Sequence, residues 1–295
     1  MIIAIKQFGR CCLNLVPEKV IITHNRNLIT RIEMISTAPA MQIHLFPCLN
    51  DNYAFLLHDP ENRLTAVIDT PEVSAINRAL NEKGWELTHI LNTHHHWDHA
   101  GGNLELKEQT GCIIVGPRAE AGKIPGIDIE VGEGETFQFG NYLARIFDTP
   151  GHTSGHIIYY FESEHCAFVG DTLFAMGCGR LFEGTPEQMW HSLQKIMALP
   201  DDTKLYCAHE YTQANGRFAL TVDPDNKELI RRMSEVNTLR ERGTPTIPTD
   251  LALEKKTNPF LRPENEDIRV HLHMQNNSTT EVFARIREMK DNFRS

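Results

Sequence analysis

No stretch of this sequence approaches the ~18 consecutive apolar residues of a membrane-spanning helix, so no membrane segment is expected. Basic residues are in deficit: 29 Lys and Arg stand against 39 Asp and Glu, for a formal net charge of −10. That sign excludes nucleic acid as the main partner, because phosphate binding depends on a basic face. An anionic small substrate would need a local basic patch instead. Cysteine pairing motifs are missing too. The seven cysteines (Cys11, Cys12, Cys48, Cys112, Cys166, Cys178 and Cys207) are odd in number, irregularly spaced and contain no CxxC. They read as reduced thiols in a cytoplasmic protein. There is no internal repeat and no low-complexity segment. Residues 1–40 lack an apolar core long enough for a signal peptide, lack a small-residue cleavage site, and are poor in serine for a transit peptide. They are expected to form a poorly ordered extension upstream of the natural start.

What is present is an ordinary globular composition, 41% hydrophobic and 23% charged over 295 residues, enough for one large or two ordinary domains. From Met41 to about Glu210 short apolar runs end at turn signals and read as strands: 41–46, 54–57, 65–68, 89–92, 112–115, 137–139, 143–147, 157–161, 166–169 and 204–207. Helical spacing marks 73–83, a segment opening at Leu104, and 186–199. After Tyr211 helices dominate. Leu229–Arg242 stops at Gly243, and Ser278 with Glu281 forms a capping box that opens a final apolar stripe at Val282, Phe283, Ile286, Met289 and Phe293. Strands and helices with His- and Asp-bearing loops suggest two sheets flanked by helices, then a small helical domain.

The run Thr93-His94-His95-His96-Trp97-Asp98-His99 carries the chemistry. Imidazole and carboxylate are the usual ligands of zinc and related divalent ions. In extended backbone, residues i, i+2 and i+4 point the same way, so His94, His96 and Asp98 converge while His99 turns toward a neighbouring volume. Three later residues of ligand type each follow a strand: His152 in Gly151-His152-Thr153-Ser154-Gly155-His156, Asp171 in Gly170-Asp171-Thr172, and His209 in His209-Glu210-Tyr211-Thr212. Such loops are a usual place for a site. His95 points away from the alternating face, His156 reads as structural, His191 and the pair His271 and His273 as surface, and Asp69 as a carboxylate able to orient a ligand histidine.

The ordered set THxHxDH, GHTxGH, GDT and a late His resembles the signature of the metallo-β-lactamase superfamily over residues 41 to about 211. Further motifs make the chain similar to the glyoxalase II (hydroxyacylglutathione hydrolase) family over most of 41–295. These are Asp51-Asn52-Tyr53, the segment Gly177-Cys178-Gly179-Arg180-Leu181-Phe182-Glu183-Gly184-Thr185, Asn258-Pro259-Phe260-Leu261-Arg262, and Arg287-x-x-Lys290-Asp291. The resemblance implies an α/β fold, an αββα metallo-β-lactamase sandwich at 41–212 followed by a small α-helical substrate-binding domain at 213–295. It implies two divalent ions, zinc first, with iron or manganese as alternatives. His94, His96 and His152 would hold one, Asp98, His99 and His209 the other, and Asp171 would bridge them, with Asp171 and Asp98 catalytic.

The implied reaction is hydrolysis of S-D-lactoylglutathione and related 2-hydroxyacyl-glutathione thioesters to glutathione and D-lactate by a metal-bridging hydroxide. This is the second step of methylglyoxal detoxification, carried out by a cytoplasmic monomer. Cys178 has no nucleophilic part in it. The resemblance places Arg180, Tyr211, Arg287 and Lys290 on the glutathione moiety, whose two carboxylates need positive charge. Some family members carry Lys and Tyr where this chain has Arg180 and Phe182; the lost hydroxyl predicts a weaker hold on substrate. Three alternatives stand beside this reading. A one-iron persulfide dioxygenase would lack part of the second ligand set. A lactonase or β-lactamase would not need Arg287 and Lys290. A non-catalytic binding protein would have lost ligands.

Overall fold

The computed structural model describes residues 40–294; the expectation for residues 1–40 lies, but for Ala40, outside them. One six-stranded sheet contains, in sequence and spatial order, β1 (Gln42–Cys48), β2 (Asn52–Asp59), β3 (Leu64–Ile68), β4 (His89–Leu91), β5 (Ile113–Pro117) and β6 (Ile129–Val131). β1, β2 and β3 pair antiparallel, and β3 to β6 pair parallel. The parallel half needs crossovers, and α1 (Val73–Lys83), α2 (Trp97–Ala100) and α3 (Asn103–Thr110) fall in them.

The second six-stranded sheet runs in the order β14-β13-β10-β9-β8-β7. Its members are β7 (Thr136–Phe139), β8 (Tyr142–Asp148), β9 (Ile157–Phe161), β10 (Cys166–Gly170), β13 (Lys204–Cys207) and β14 (Thr249–Asp250). A small hairpin, β11 (Leu173–Phe174) with β12 (Gly177–Cys178), follows β10.

Burial explains the near-continuous apolar runs. On β2, Tyr53, Phe55 and Leu57 join the main core between the sheets, while Ala54 and Leu56 face Ile76, Ala79 and Leu80 of α1 and Leu106 of α3. A strand covered on both faces has no polar side to show. The second sheet is backed by α4 (Pro186–Met197), whose Met189, Trp190, Leu193 and Ile196 are buried. Helix–sheet–sheet–helix layering is therefore the observed architecture, as the sequence suggests.

Beyond it lie α5 (Thr212–Val222), α6 (Lys227–Glu241), α7 (Leu251–Thr257), α8 (Glu266–His271) and α9 (Thr279–Asn292). The expected capping box at Ser278 and Glu281 is present. Phe218, Phe260, Phe283 and Ile286 from these helices join the same core as the sandwich. The helix α5 has no counterpart in the sequence reading. Gly216 lies in its middle, a residue that disfavours helix by about 1 kcal/mol. The close approach of α6 favours it there: a Cβ at 216 would press on Met233 Sδ and Met176 Cε, and both methionine side chains would have to move aside.

One buried cluster joins these helices to the hairpin after β10. Glu254 on α7 pairs with Arg232 on α6 and accepts the Met176 N–H at 2.9 Å, while Asn258 Nδ2 donates to the Phe174 and Gly177 carbonyls at 3.1 and 3.0 Å. Removing one partner of a buried ion pair leaves an uncompensated charge. Glu254→Ala is therefore expected to cost about 3–5 kcal/mol of stability in urea unfolding. A loss below ~1 kcal/mol would show that the cluster is not the anchor.

Candidate metal centre

Seven side chains of ligand type meet at one edge of the sandwich, each from a segment that follows a strand, with Asp98 and His99 on the short helix α2. His94, His96, Asp98 and His99 come after β4, His152 after β8, Asp171 after β10 and His209 after β13. They form two groups that share Asp171. In the first, His96 Nδ1 stands 3.1 Å from both His94 Nε2 and His152 Nε2, and His152 Nε2 stands 3.3 Å from Asp171 Oδ2. In the second, Asp98 Oδ2 lies 3.4 Å from His99 Nε2 and 3.5 Å from His209 Nε2. Asp171 Oδ1 lies 3.5 and 3.4 Å from the same two nitrogens. Donors held at 2.0–2.1 Å around a tetrahedral ion stand about 3.3 Å apart, so both groups have the spacing of a ligand shell.

Two atoms test the fit. His99 Nε2 and Asp171 Oδ1 are both buried without a hydrogen-bond partner. An acceptor lone pair left bare in the interior is costly, and a cation between them would satisfy it. The donor set fits divalent ions, with the identity of the metal open among those that accept imidazole and carboxylate.

Neighbouring groups fix which nitrogen faces inward. His99 Nδ1–H donates to Asp69 Oδ2 at 2.8 Å, His209 Nδ1–H to Asp51 Oδ1 at 2.9 Å, and His152 Nδ1–H to the Arg180 carbonyl at 2.9 Å. The Thr93 hydroxyl donates to Asp69 Oδ2 at 2.8 Å and accepts from His94 Nδ1–H at 3.0 Å. In each case Nε2 is left as the ligand atom. Asp69 is thus the orienting carboxylate that the sequence suggested. His156 is buried; its Nε2 accepts the Asp171 N–H at 3.1 Å and it joins neither donor group. Asn52 Nδ2 donates to Asp98 Oδ2 at 3.1 Å.

Electrostatics point the same way. Burial would raise the Asp171 carboxyl, but His209 and His99 overcome it and hold it well below the usual carboxylate range. Burial lowers His99, and Asp171 and Asp69 more than reverse that, taking it well above the ordinary imidazole value. Burial, with four histidine neighbours, takes His94 well below it. These directions show that the carboxylates call for positive charge between them, a demand that a divalent ion would meet.

A cavity of about 510 Å3 opens onto the centre, within the range of small-molecule sites. His96, Asp98, His152, Asp171 and His209 line it together with the four residues expected on the substrate, Arg180, Tyr211, Arg287 and Lys290. Tyr211 stacks on His209 with ring centres 4.7 Å apart. Arg287 is buried, donating to the Cys178 carbonyl at 2.8 Å and to Asp291 Oδ1 at 2.9 Å. Among the described residues Lys290 Nζ reaches the Ala214 carbonyl, at 3.4 Å, and the Phe218 and Phe293 rings. Phe182, 62% exposed, presents its ring to His96 and His152. Burial pushes the Cys178 thiol up to about 11, so it is no ready nucleophile. The sequence reading assigned no role to Asp51, Asn52 or Glu120. Only the motif Asp51-Asn52-Tyr53 carried a signal, since single polar residues in turns read as solvated.

Comparison with known proteins agrees with this geometry. The model of the metallo-beta-lactamase superfamily matches residues 52–209, and that of the hydroxyacylglutathione hydrolase C-terminus matches residues 210–293. A Maricaulis maris protein named hydroxyacylglutathione hydrolase is 54% identical over 251 residues, covering 85% of this chain and 98% of the relative. A Methylococcus capsulatus protein of the same name is 52% identical over 254 residues, covering 86% and 99%. Among solved structures, ETHE1 from Myxococcus xanthus matches with a TM-score of 0.58 at 25% identity, covering 85% of this chain and 98% of that one. A metallo-beta-lactamase from Staphylococcus aureus shares the fold with a TM-score of 0.58 at 21% identity, covering 85% and 71%. The chain is a metallo-beta-lactamase-fold hydrolase. Within that superfamily it belongs to the hydroxyacylglutathione hydrolase family.

Because Asp171 faces both groups, Asp171→Ala is expected to lose both ions, read by elemental analysis of the purified protein. Retention of two ions per chain would mean that Asp171 does not bridge.

Proposed function

We propose that this chain hydrolyses S-D-lactoylglutathione and related 2-hydroxyacyl-glutathione thioesters to glutathione and a 2-hydroxy acid, D-lactate in the first case. The observation that carries the reading is that one cavity is lined both by the donor groups and by Arg180, Arg287 and Lys290. A chain with net charge −10 has no general affinity for anions, so a local cationic wall beside hydrolytic chemistry speaks for a substrate with an anionic tail.

His94, His96 and His152 would hold one ion, Asp98, His99 and His209 the second, and Asp171 both. Divalent ions, which we take to be zinc, supply a nucleophile from water at neutral pH and polarise a carbonyl oxygen. The protein does the rest. Asp98, about one-third exposed, and Asp171 are the acceptors that orient the attacking water. Tyr211 and the cationic residues hold the peptide so that the thioester meets the donor groups. The sulfur departs as a thiolate, which needs no protein acid. Division into a catalytic segment at 41–212 and a substrate-binding segment at 213–295 follows the same assignment.

We assign the chain to the cytoplasm as a monomer. All five cysteines among the described residues are free, which suits a reducing compartment, and no described helix is long and apolar enough to cross a membrane.

The deciding experiment pairs metal analysis with thiol release from S-D-lactoylglutathione. Two ions per chain with thiol release support the reading; one iron, oxygen uptake and no thiol release overturn it. Lys290 provides a second measurement. Burial, Arg287, Arg180 and Arg217 lower its ammonium from 10.5 to about 8. The charged form is the one that binds a carboxylate and is lost as pH rises through that value. kcat/KM, which reports the free enzyme, is therefore expected to fall above pH ~8, and Lys290→Arg to move the limb higher. Lys290→Ala is expected to raise KM about 10-fold or more with little change in kcat, the loss of one charge-assisted hydrogen bond. An unchanged KM would remove Lys290 from the substrate site.

A further inference from the structure

Glu120 is a buried carboxylate that the reaction does not use. It closes the short 3-10 turn Arg118–Glu120 after β5, and its residue is 1% exposed. Both oxygens are committed to two ligand loops. Oε2 accepts the His95 N–H and His95 Nδ1–H, each at 2.8 Å. Oε1 accepts the Gly155 N–H at 2.9 Å. His95 stands between the donors His94 and His96, and Gly155 follows His152 by three residues. One carboxylate therefore grips the backbone beside all three histidines of the first donor group, and no described hydrogen bond links it to the second.

A separate observation supports the same contact. A Cβ on Gly155 would stand 2.6 Å from Glu120 Cγ and 2.7 Å from Ala119 Cβ, so the loop lies against the turn as closely as a glycine allows. A weaker outer strut completes the bracing. Glu183 accepts the Ser154 N–H at 2.8 Å and Lys123 Nζ at 3.0 Å, and stands 3.6 Å from His95 Nε2.

We propose that Glu120 is the positioning residue of the His94, His96 and His152 group, setting the separation of its two loops and so the affinity of one ion out of two. The proposal rests on the ligand assignment above. Its chemistry favours a carboxylate over an amide. Three N–H donors converge on the side chain, and a glutamine offers one acceptor oxygen and turns an NH2 group toward donors. Backbone N–H groups left unpaired in the interior would pull the loops apart.

The test is stepwise metal binding to the stripped protein, with Co2+ absorption and a competing chelator as the readouts. Glu120→Gln is expected to weaken one ion by about 10–100-fold and leave the other unchanged. Gly155→Ala, which pushes the loop off Glu120 without removing its charge, is expected to weaken the same ion. His95→Ala keeps both backbone bonds and is expected to shift affinity less than Glu120→Gln. His209→Ala identifies the other ion. The lost backbone bonds lower the melting point of the metal-free variants as well, but a merely structural loss would weaken both ions alike, whereas here only one is expected to weaken. Two ions of unchanged affinity in Glu120→Gln, or equal weakening of both, overturn the proposal while leaving the ligand assignment intact. A parent protein whose first ion survives His94→Ala overturns the ligand assignment and the proposal with it.

Discussion

A carboxylate with both oxygens in the interior, each turned toward histidine nitrogens, is the constraint around which this molecule is organised. Asp171 is 6% exposed, and its two oxygens face different donor groups at 3.3–3.5 Å. An uncompensated charge in that position costs several kcal/mol, so positive charge has to be brought to it from both sides. The fold does this by aligning strand ends. β4, β10 and β13 all release their donor loops at one edge, and β8 contributes His152 there too. The small hairpin that follows Asp171 then carries the chain directly into the cavity wall at Cys178 and Arg180.

That hairpin explains why residues more than 100 positions apart act in one cavity. Asn258 holds it from beneath, Glu254 holds Met176 within it, and Arg287 holds the Cys178 carbonyl. Three residues on or next to α7 and α9 thus fix the segment that leaves Asp171. The Arg180 carbonyl in turn accepts from His152 Nδ1, so the cationic wall and the first donor group are tied together at that peptide unit. Displacement of the wall would therefore be felt at a ligand. This coupling is built from hydrogen bonds between side chains and backbone, which tolerate little change in length.

Much of this was legible in the sequence. The alternation of His94, His96 and Asp98, the three polar residues at strand ends, and the capping box at Ser278 are local signals that tertiary structure had no need to override. Double burial made β2 readable as a strand by its apolar run. What escaped was whatever depends on a distant partner. Gly216 weakens the signal for α5, and only the proximity of Met233 explains it. The two-residue strands β11, β12 and β14 are too short for any periodicity. Asp51 is marked only by the motif Asp51-Asn52-Tyr53, which gives it no role, and Glu120 is a lone acid in a turn whose neighbours do not tell a solvated carboxylate from one that holds a loop.

The distribution of charge completes the argument. The donor groups gather Asp98 and Asp171, with Asp51 and Asp69 behind them. The cationic set gathers Arg180, Arg287 and Lys290. Among the described residues no ion pair joins the two sets; Arg287 and Arg180 turn to Asp291 instead, at 2.9 and 3.9 Å. Keeping the sets apart in one cavity gives it a polarity. Cations are drawn to one group and carboxylates to the other, and a ligand that carries anionic ends on a neutral thioester has one favourable orientation. Lys290 sharpens this, because burial and its cationic neighbours already press it toward losing its proton. An arriving carboxylate would relieve that pressure, so a carboxylate placed there would gain more than one beside an isolated surface lysine.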